Sequence, residues 1–179
     1  MITFKEGRLT FSFPKNSVAK YDETAFYKTF KQVQNGVKAV DFIYIDGQGW
    51  LIEVKDYRKI TKKLQNEIKE FEPEDILPSE LSNVITKKIF DTLEGINLAK
   101  EVPDADIYSL SQEFFQQENT KVVLHLEQDK SYEKFRAIDP ADILQQLRRL
   151  LRSIDLNPYV VDCSNLPTKP EINWSVQSE

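Results

Sequence analysis

The sequence predicts an α/β fold whose core is a mixed β-sheet, and two observations lead to this prediction. Apolar stretches with β-strand patterns come before and between stretches with helical spacing, which is typical of α/β proteins. In addition, the strand-like stretches 121–127 and 158–163 flank a helical one, so they are expected to pair in parallel through a βαβ crossover. The 179 residues suit a single domain, which we predict to span residues 1–163 with a C-terminal tail at 164–179.

The chain begins with a predicted β-hairpin followed by a helix. Apolar and polar residues alternate through 2–13 on either side of a glycine, as expected of two short antiparallel strands. Helical spacing of apolar side chains then predicts a helix over about 23–34. Asp22 is its predicted N-cap, and Gly36 ends it.

Caps and apolar stripes predict the later helices. A charged helix is expected over about 59–71, and another runs from a cap at Ser79 to about Lys100 with one apolar stripe. Asp139 as N-cap and Pro140 at the first helical position predict the helix between the two parallel strands. These elements complete the α/β pattern.

Composition excludes several classes of protein. No apolar stretch approaches the roughly 20 residues needed to cross a bilayer, and the N-terminus lacks the pattern of a signal peptide. The single cysteine, Cys163, forbids an internal disulfide, and with the single histidine, His125, it argues against a Cys/His zinc cluster. None of the five glycines forms a common phosphate-binding loop. We therefore expect a cytoplasmic protein without a membrane partner or a nucleotide cofactor.

The clearest predicted hairpin joins the β-rich stretches 37–45 and 50–57. Glu53 and Lys55 lie two residues apart in its second strand, so their side chains point to one face. A three-residue loop at 47–49 pairs Asp41 with Lys55 and adds Asp41 to that face, whereas a two- or four-residue loop would separate it from the other two. The glycine at the end of the loop favours the three-residue form.

Charged side chains on such a face carry the functional prediction. The strands are rich in large apolar residues, so both faces are expected to be covered, and charges there must be paired or bind an ion. Asp41 and Glu53 would form a hard-oxygen site suited to Mg²⁺ or Mn²⁺. Lys55 would orient or activate an attacking water. The combination indicates phosphodiester hydrolysis; the simpler alternative is an exposed hairpin with a cross-strand ion pair.

The pattern Asp41-x11-Glu53-x-Lys55, between two strands after a helix, resembles the PD-(D/E)XK phosphodiesterase superfamily. This resemblance implies a restriction-endonuclease-like fold, a three-layer sandwich in which helices flank a central mixed β-sheet with an αβββαβ core. It also implies a metal-dependent endonuclease in which Asp41 and Glu53 bind Mg²⁺ or Mn²⁺. Lys55 would be the catalytic lysine, and the Val54 main-chain carbonyl would be a further metal ligand.

The resemblance implies two further features near the first helix. Many members add an acidic residue from this helix, and Glu23 matches it by position, with Asp22 as the neighbouring alternative. The family also has a strand between this helix and the strand that carries the first aspartate. In this chain either the N-terminal hairpin supplies that strand, or 37–45 is a long bent strand.

Charge distribution and the resemblance together suggest partners. Residues 1–63 carry an excess of basic side chains that would face a polyanion, whereas residues 64–120 are strongly acidic and would face elsewhere. The resemblance implies nucleic acid as substrate, DNA ahead of RNA, and a homodimer, because many proteins of this fold cut as dimers. The alternative is a catalytically inactive protein of the same fold that binds nucleic acid, or a protein partner through the acidic segment.

Overall fold

A computed structural model describes residues 1–58, 80–128 and 138–179, which form two sheets and four α-helices. The strands are β1 (Ile2–Glu6), β2 (Leu9–Phe13), β3 (Val18–Lys20), β4 (Phe42–Ile45), β5 (Gly49–Asp56), β6 (Thr120–Glu127), β7 (Tyr159–Val161) and β8 (Ser175–Ser178). The helices are α1 (Ala25–Val33), α2 (Leu81–Ala99), α3 (Tyr108–Phe115) and α4 (Pro140–Leu150). The predicted helix at 59–71 and the predicted cap Ser79 lie outside the described residues.

The central sheet is mixed, with strand order β3-β4-β5-β6-β7. Strands β3, β4 and β5 are antiparallel neighbours, and β6 is parallel to both β5 and β7. Helix α4 connects β6 to β7 and starts as predicted, because Asp139 accepts a hydrogen bond from the Ala141 N–H and Pro140 follows it. The α/β class, the mixed sheet and the parallel βαβ pair are therefore confirmed.

The two faces of the central sheet are covered differently. All four helices in the described part of the chain pack on one face, where their buried side chains meet Ile43, Leu51 and Leu124. The other face packs against a second, antiparallel sheet of order β1-β2-β8. This sheet can cover it because Phe11 and Phe13 of β2 both point inward and are fully buried. Helices thus flank the central sheet on one face in the described residues, and a β-sheet takes the place expected of helices on the other.

The C-terminal residues belong to the second sheet, which corrects the expectation of a tail at 164–179. A 3-10 helix forms at Leu166–Thr168, and β8 then pairs antiparallel with β2. Trp174 lies just before β8 and is buried against the rings of Phe13 and Trp50. The large apolar area of this tryptophan favours burial of the segment despite its polar composition.

The N-terminal hairpin is confirmed, but the segment after it differs from the prediction. Strand β3 pairs with β4 and precedes α1, so neither the hairpin nor a long bent strand supplies the strand next to Asp41. Residues Tyr21–Glu23 form a 3-10 turn, and α1 begins only after it. Its N-cap is Thr24 rather than Asp22, because the Thr24 hydroxyl accepts a hydrogen bond from the Tyr27 N–H.

Helix α2 lies on the helical face of the sheet and ends at Ala99, close to the predicted end at Lys100. Its stripe of Leu81, Ile85, Ile89 and Ile96 is buried in the core, and Lys88 lies beside this stripe. Among the helices that the structure describes, none has the length and apolar character needed to cross a membrane.

Candidate metal centre

The β4–β5 hairpin places Asp41 and Glu53 side by side on the helical face of the central sheet. Ile43 pairs with Leu51, and the loop is the three residues 46–48, one residue earlier than predicted. The register is therefore shifted by two residues, which preserves the predicted parity. Asp41, immediately before β4, lies across from Glu53 instead of from the lysine two residues further on.

Two glycines explain this register. Gly47, in the middle of the loop, has a φ of 67°, the left-handed conformation that glycine adopts without strain. Gly49 is the first residue of β5, and a Cβ atom there would lie 2.6 Å from the Phe114 ring. The loop thus closes around Gly47, while Gly49 permits close packing of α3 against the sheet.

Glu53 is fully buried, and two lysines contact one of its oxygens. Lys55 Nζ lies 2.8 Å and Lys88 Nζ 2.7 Å from Glu53 Oε1. Lys55 shares the strand with Glu53, whereas Lys88 reaches it from α2. Within the described ranges, the other oxygen, Glu53 Oε2, has no hydrogen-bond partner. A buried carboxylate oxygen without a donor is costly, so Oε2 is a candidate ligand for a cation.

Asp41 is 7% exposed and is held by the sheet itself. Its Oδ2 accepts a hydrogen bond of 2.6 Å from the Val54 N–H. Burial raises the pKa of Asp41 well above its usual range, and the negative charge of Glu53 raises it further. Burial also lowers the pKa of Lys55, but the charge and hydrogen bond of Glu53 outweigh this effect and keep it raised. The site therefore has two neighbouring carboxyls, of which Asp41 is difficult to ionise without a nearby cation.

Two more carboxyl groups lie against Asp41. Glu6, Asp22 and Asp41 each offer an oxygen, and these three oxygens lie within 4.8 Å of one another. Burial and the charge of Glu6 raise the pKa of Asp22 to about 6. Its Oδ1 is buried and, in the part of the chain that is described, has no hydrogen-bond partner. The Tyr21 N–H donates to the Asp41 carbonyl at 2.8 Å and so fixes the turn that carries Asp22 beside the site.

The structure brings together four of the residues that the sequence singled out and leaves Glu23 outside. Asp22, Asp41, Glu53 and Lys55 meet at the site. Glu23 is exposed and forms an ion pair of 2.5 Å with Lys20 Nζ. The reason is the 3-10 turn at Tyr21–Glu23, which turns Asp22 inward and Glu23 outward, so Asp22 occupies the position expected of Glu23.

Sequence reasoning missed Glu6 and Lys88. Glu6 is the last residue of β1, next to the turn glycine of the first hairpin, and its approach to Asp41 depends on how the two sheets pack. Lys88 follows Ile85 by three residues on a helix, so it lies at the edge of the buried stripe. That position was the available signal that Lys88 faces the sheet.

The chain matches no protein-family model, no curated protein and no solved structure. Function is therefore inferred from the geometry and electrostatics of the site.

Proposed function

We propose that the protein is a metal-dependent nuclease of the PD-(D/E)XK type that hydrolyses phosphodiester bonds in nucleic acid, with DNA as the expected substrate. The main observation that supports this proposal is the set of contacts made by the two carboxylate oxygens of Glu53. One of its oxygens is shared by Lys55 and Lys88, and the other is buried without a hydrogen-bond partner in the described chain, across from Asp41.

The order of elements supports the same proposal. A helix, α1, precedes the hairpin β4–β5, and the chain then passes through α2 to β6, which pairs parallel to β5. This order is similar to the αβββαβ core of the restriction-endonuclease-like fold. The difference is that the additional strand, β3, precedes α1 instead of following it.

The residues present fit a hard divalent cation. Asp41 and Glu53 would bind Mg²⁺ or Mn²⁺, with Asp22 and Glu6 as further oxygen donors and the Val54 carbonyl as the ligand expected from the resemblance. The bound metal would polarise the phosphate and lower the pKa of a coordinated water. Because two or more carboxylates would then share one cation, their mutual repulsion would be relieved.

The two lysines have distinct positions in this arrangement. Lys55 projects from β5 and is one-fifth exposed, so its ammonium group is placed to orient the attacking water or to stabilise charge on the phosphate. Lys88 approaches Glu53 from α2 and offsets part of the negative charge of its carboxylate. Neither lysine is expected to act as a general base, because each ammonium group is paired with the buried carboxylate.

A combined binding and cleavage experiment tests the proposal. Calorimetric titration with Mn²⁺ is expected to show binding that is lost in Asp41→Asn and Glu53→Gln. Cleavage of single- and double-stranded DNA in Mg²⁺ or Mn²⁺ is expected to fall by at least about 100-fold in these variants and in Lys55→Met. Lys87→Met, which changes an exposed lysine of α2, is the control and should cleave like the wild type.

Two outcomes would contradict the nuclease proposal. The first is unchanged cleavage in all three site variants, which would place the activity elsewhere. The second is a folded wild-type protein that neither binds Mn²⁺, alone or with DNA present, nor cleaves DNA or RNA. That result would favour the alternative of a catalytically inactive binding protein, and a search for partners of the acidic segment 64–120 would follow.

A further inference from the structure

A second group of side chains with metal-binding chemistry lies on the opposite face of the central sheet. His125 and Glu127 are two residues apart in β6, so both point to the face that the antiparallel sheet covers. Cys163 follows β7, the strand that pairs with β6. The ring of Phe11 packs against His125 with the centroids 5.3 Å apart, which separates this group from solvent on one side.

The three donor atoms are already close to one another. His125 Nε2 lies 3.0 Å from Glu127 Oε1 and 3.9 Å from Cys163 Sγ, and one ligand atom from each residue falls within 4.8 Å of the other two. Tetrahedral Zn²⁺ with ordinary bond lengths would place a nitrogen and an oxygen ligand about 3.4 Å apart and a nitrogen and a sulfur ligand about 3.6 Å apart. Shifts of a few tenths of an ångström would therefore bring His125 Nε2 to coordinating distances from the other two atoms.

We propose that His125, Glu127 and Cys163 form a Zn²⁺ site, separate from the carboxylate centre on the other face of the sheet. Nitrogen, oxygen and thiolate donors in one group are typical of zinc, whereas the carboxylates around Asp41 suit Mg²⁺ or Mn²⁺. Three protein ligands leave a fourth position for water or another small ligand. One cysteine and one histidine argue against a Cys/His zinc cluster, but they are compatible with a mixed site in which a carboxylate is the third ligand.

The protonation states of Cys163 and Glu127 affect how Zn²⁺ would bind. Burial, reinforced by a hydrogen bond with Glu127, raises the pKa of the Cys163 thiol to about 12. Burial works against ionisation of Glu127, but hydrogen bonds with His125 and Cys163 lower its pKa to about 2. Zn²⁺ would bind His125 in the tautomer that carries its proton on Nδ1, which leaves Nε2 free for the metal. The Cys163 thiol proton would pass to solvent as the Zn–S bond forms. Arg58 and Asp162 also act on the thiol, with opposite effects on its pKa.

The site would connect two elements that are far apart in sequence. Glu127 Oε1 already accepts a hydrogen bond of 2.7 Å from the Cys163 N–H, which holds the end of β7 against the end of β6. A metal ion bound to both side chains would strengthen this connection, so Zn²⁺ is expected to raise the thermal stability of the folded chain.

Cobalt spectroscopy on the full-length protein tests the proposal. After removal of metal with a chelator, Co²⁺ should produce a near-ultraviolet thiolate-to-metal charge-transfer band and the visible bands of a tetrahedral ion, and Zn²⁺ should displace it. Cys163→Ser should abolish the charge-transfer band. Glu127→Gln should weaken Co²⁺ binding by at least about 10-fold, because loss of a group that merely orients a metal ligand already lowers metal affinity by that factor. A wild-type protein without the charge-transfer band would overturn the proposal.

The single cysteine provides a second readout that needs no variant. A thiol reagent reports on Cys163 alone, and Zn²⁺ should slow its reaction by at least about 10-fold, because metal ligation removes the free thiol. An unchanged reaction rate in saturating Zn²⁺ would also overturn the proposal. Asp41→Asn is the matched control, since it should lose Mn²⁺ binding while keeping the cobalt band, so the two metal proposals are tested separately.

Discussion

At the scale of single residues, loss of the Lys88 ammonium group should lower the stability of the fold and raise the affinity for Mn²⁺. Its ammonium group contacts the fully buried Glu53, so Lys88→Met removes a charged hydrogen bond and should lower the unfolding free energy by about 1.5–3 kcal/mol. Lys55 remains as a partner, which should preserve the fold. The same substitution removes a positive charge beside the proposed metal site and should raise Mn²⁺ affinity several-fold.

Lys87→Met provides the matched control, because Lys87 is the preceding residue on the same helix. Its side chain is 49% exposed and pairs with Asp91, and such surface pairs contribute at most about 1 kcal/mol. Urea denaturation and Mn²⁺ calorimetry on the two variants provide the comparison. Equal effects of Lys87→Met and Lys88→Met on stability and metal affinity would contradict a specific role for Lys88.

The pair Asp22 and Glu23 gives a second prediction, on pH dependence. Because folding raises the pKa of Asp22 from 3.8 to about 6, the folded state binds more protons than the unfolded state between these values. The unfolding free energy of the metal-free protein should therefore contain a component that falls as pH rises through this interval. Asp22→Asn should remove that component, whereas Glu23→Gln, at an exposed position, should leave the pH dependence of the unfolding free energy above pH 5 unchanged.

Metal should reverse the sign of this pH dependence. Mn²⁺ binds ionised carboxylates, so its affinity should increase as pH rises through about 6, and less so in Asp22→Asn. Urea denaturation at several pH values, with and without Mn²⁺, measures both effects. A pH profile of Mn²⁺ affinity that is the same in the wild type and Asp22→Asn would show that Asp22 is not part of the metal site.

Part of this site could be predicted from the sequence and part could not, for physical reasons that differ from residue to residue. Glu53 and Lys55 share a face because side chains alternate along a strand. Asp41 lies on the same face because the loop has three residues, and a register shift of two residues does not change which face a side chain points to. Lys88 and Glu6 come from other elements, and their approach depends on long-range packing. Asp22 and Glu23 differ only through a 3-10 turn that local helix signals did not indicate.

At the scale of elements, the packing of α2 on the turn that carries Asp22 yields a third prediction. A Cβ atom on Gly95 would clash with the Tyr21 hydroxyl and would lie 3.3 Å from the Phe30 ring. Gly95→Ala should gain about 1 kcal/mol in helix propensity. We nevertheless expect net destabilisation, because Tyr21 is fully buried and overpacking typically costs about 1–3 kcal/mol.

Two further variants distinguish this clash from a general effect of substitution on the helix. Tyr21→Phe removes a hydroxyl that has no hydrogen-bond partner among the described residues, so it should be tolerated alone and should partly rescue Gly95→Ala. Asn97→Ala, at an exposed position of α2, should be neutral or slightly stabilising. Additive effects of Gly95→Ala and Tyr21→Phe in chemical denaturation would argue against the contact.

Element prediction succeeded where local signals were strong. The first hairpin, α4 and the strand β6 follow from a turn glycine, an Asp-Pro cap and a run of apolar residues. Strand β3 was missed because three residues do not establish a period, and β8 was missed because its sequence is polar. Both strands form because neighbouring strands offer unpaired backbone groups, which is information that no local window contains.

At the scale of the whole molecule, the fold depends on a sheet that is assembled from both ends of the chain. Strand β2 pairs with β1 beside it in sequence and with β8 from the C-terminus. The resulting sheet covers one face of the central sheet, while the helices cover the other. The layer order could not be predicted because apolar strand faces show that they are covered but not which element covers them.

This arrangement predicts that residues 164–179 are required for stability. Trp174 is 4% exposed and packs on rings of the central sheet, so Trp174→Ala should lower the unfolding free energy by about 3–5 kcal/mol.

A chain that ends at Cys163 should lose more stability than Trp174→Ala, since it also lacks β8 and leaves β2 with an open edge. Ser175→Ala, at an exposed position of the same strand, should change stability by at most about 0.5 kcal/mol. Urea and thermal denaturation measure all three, and a shortened chain with the wild-type midpoint and cooperativity would show that the second sheet is dispensable. The loss should extend to the proposed metal centre, because Glu6 belongs to this sheet and lies against Asp41, so Mn²⁺ affinity should fall together with stability.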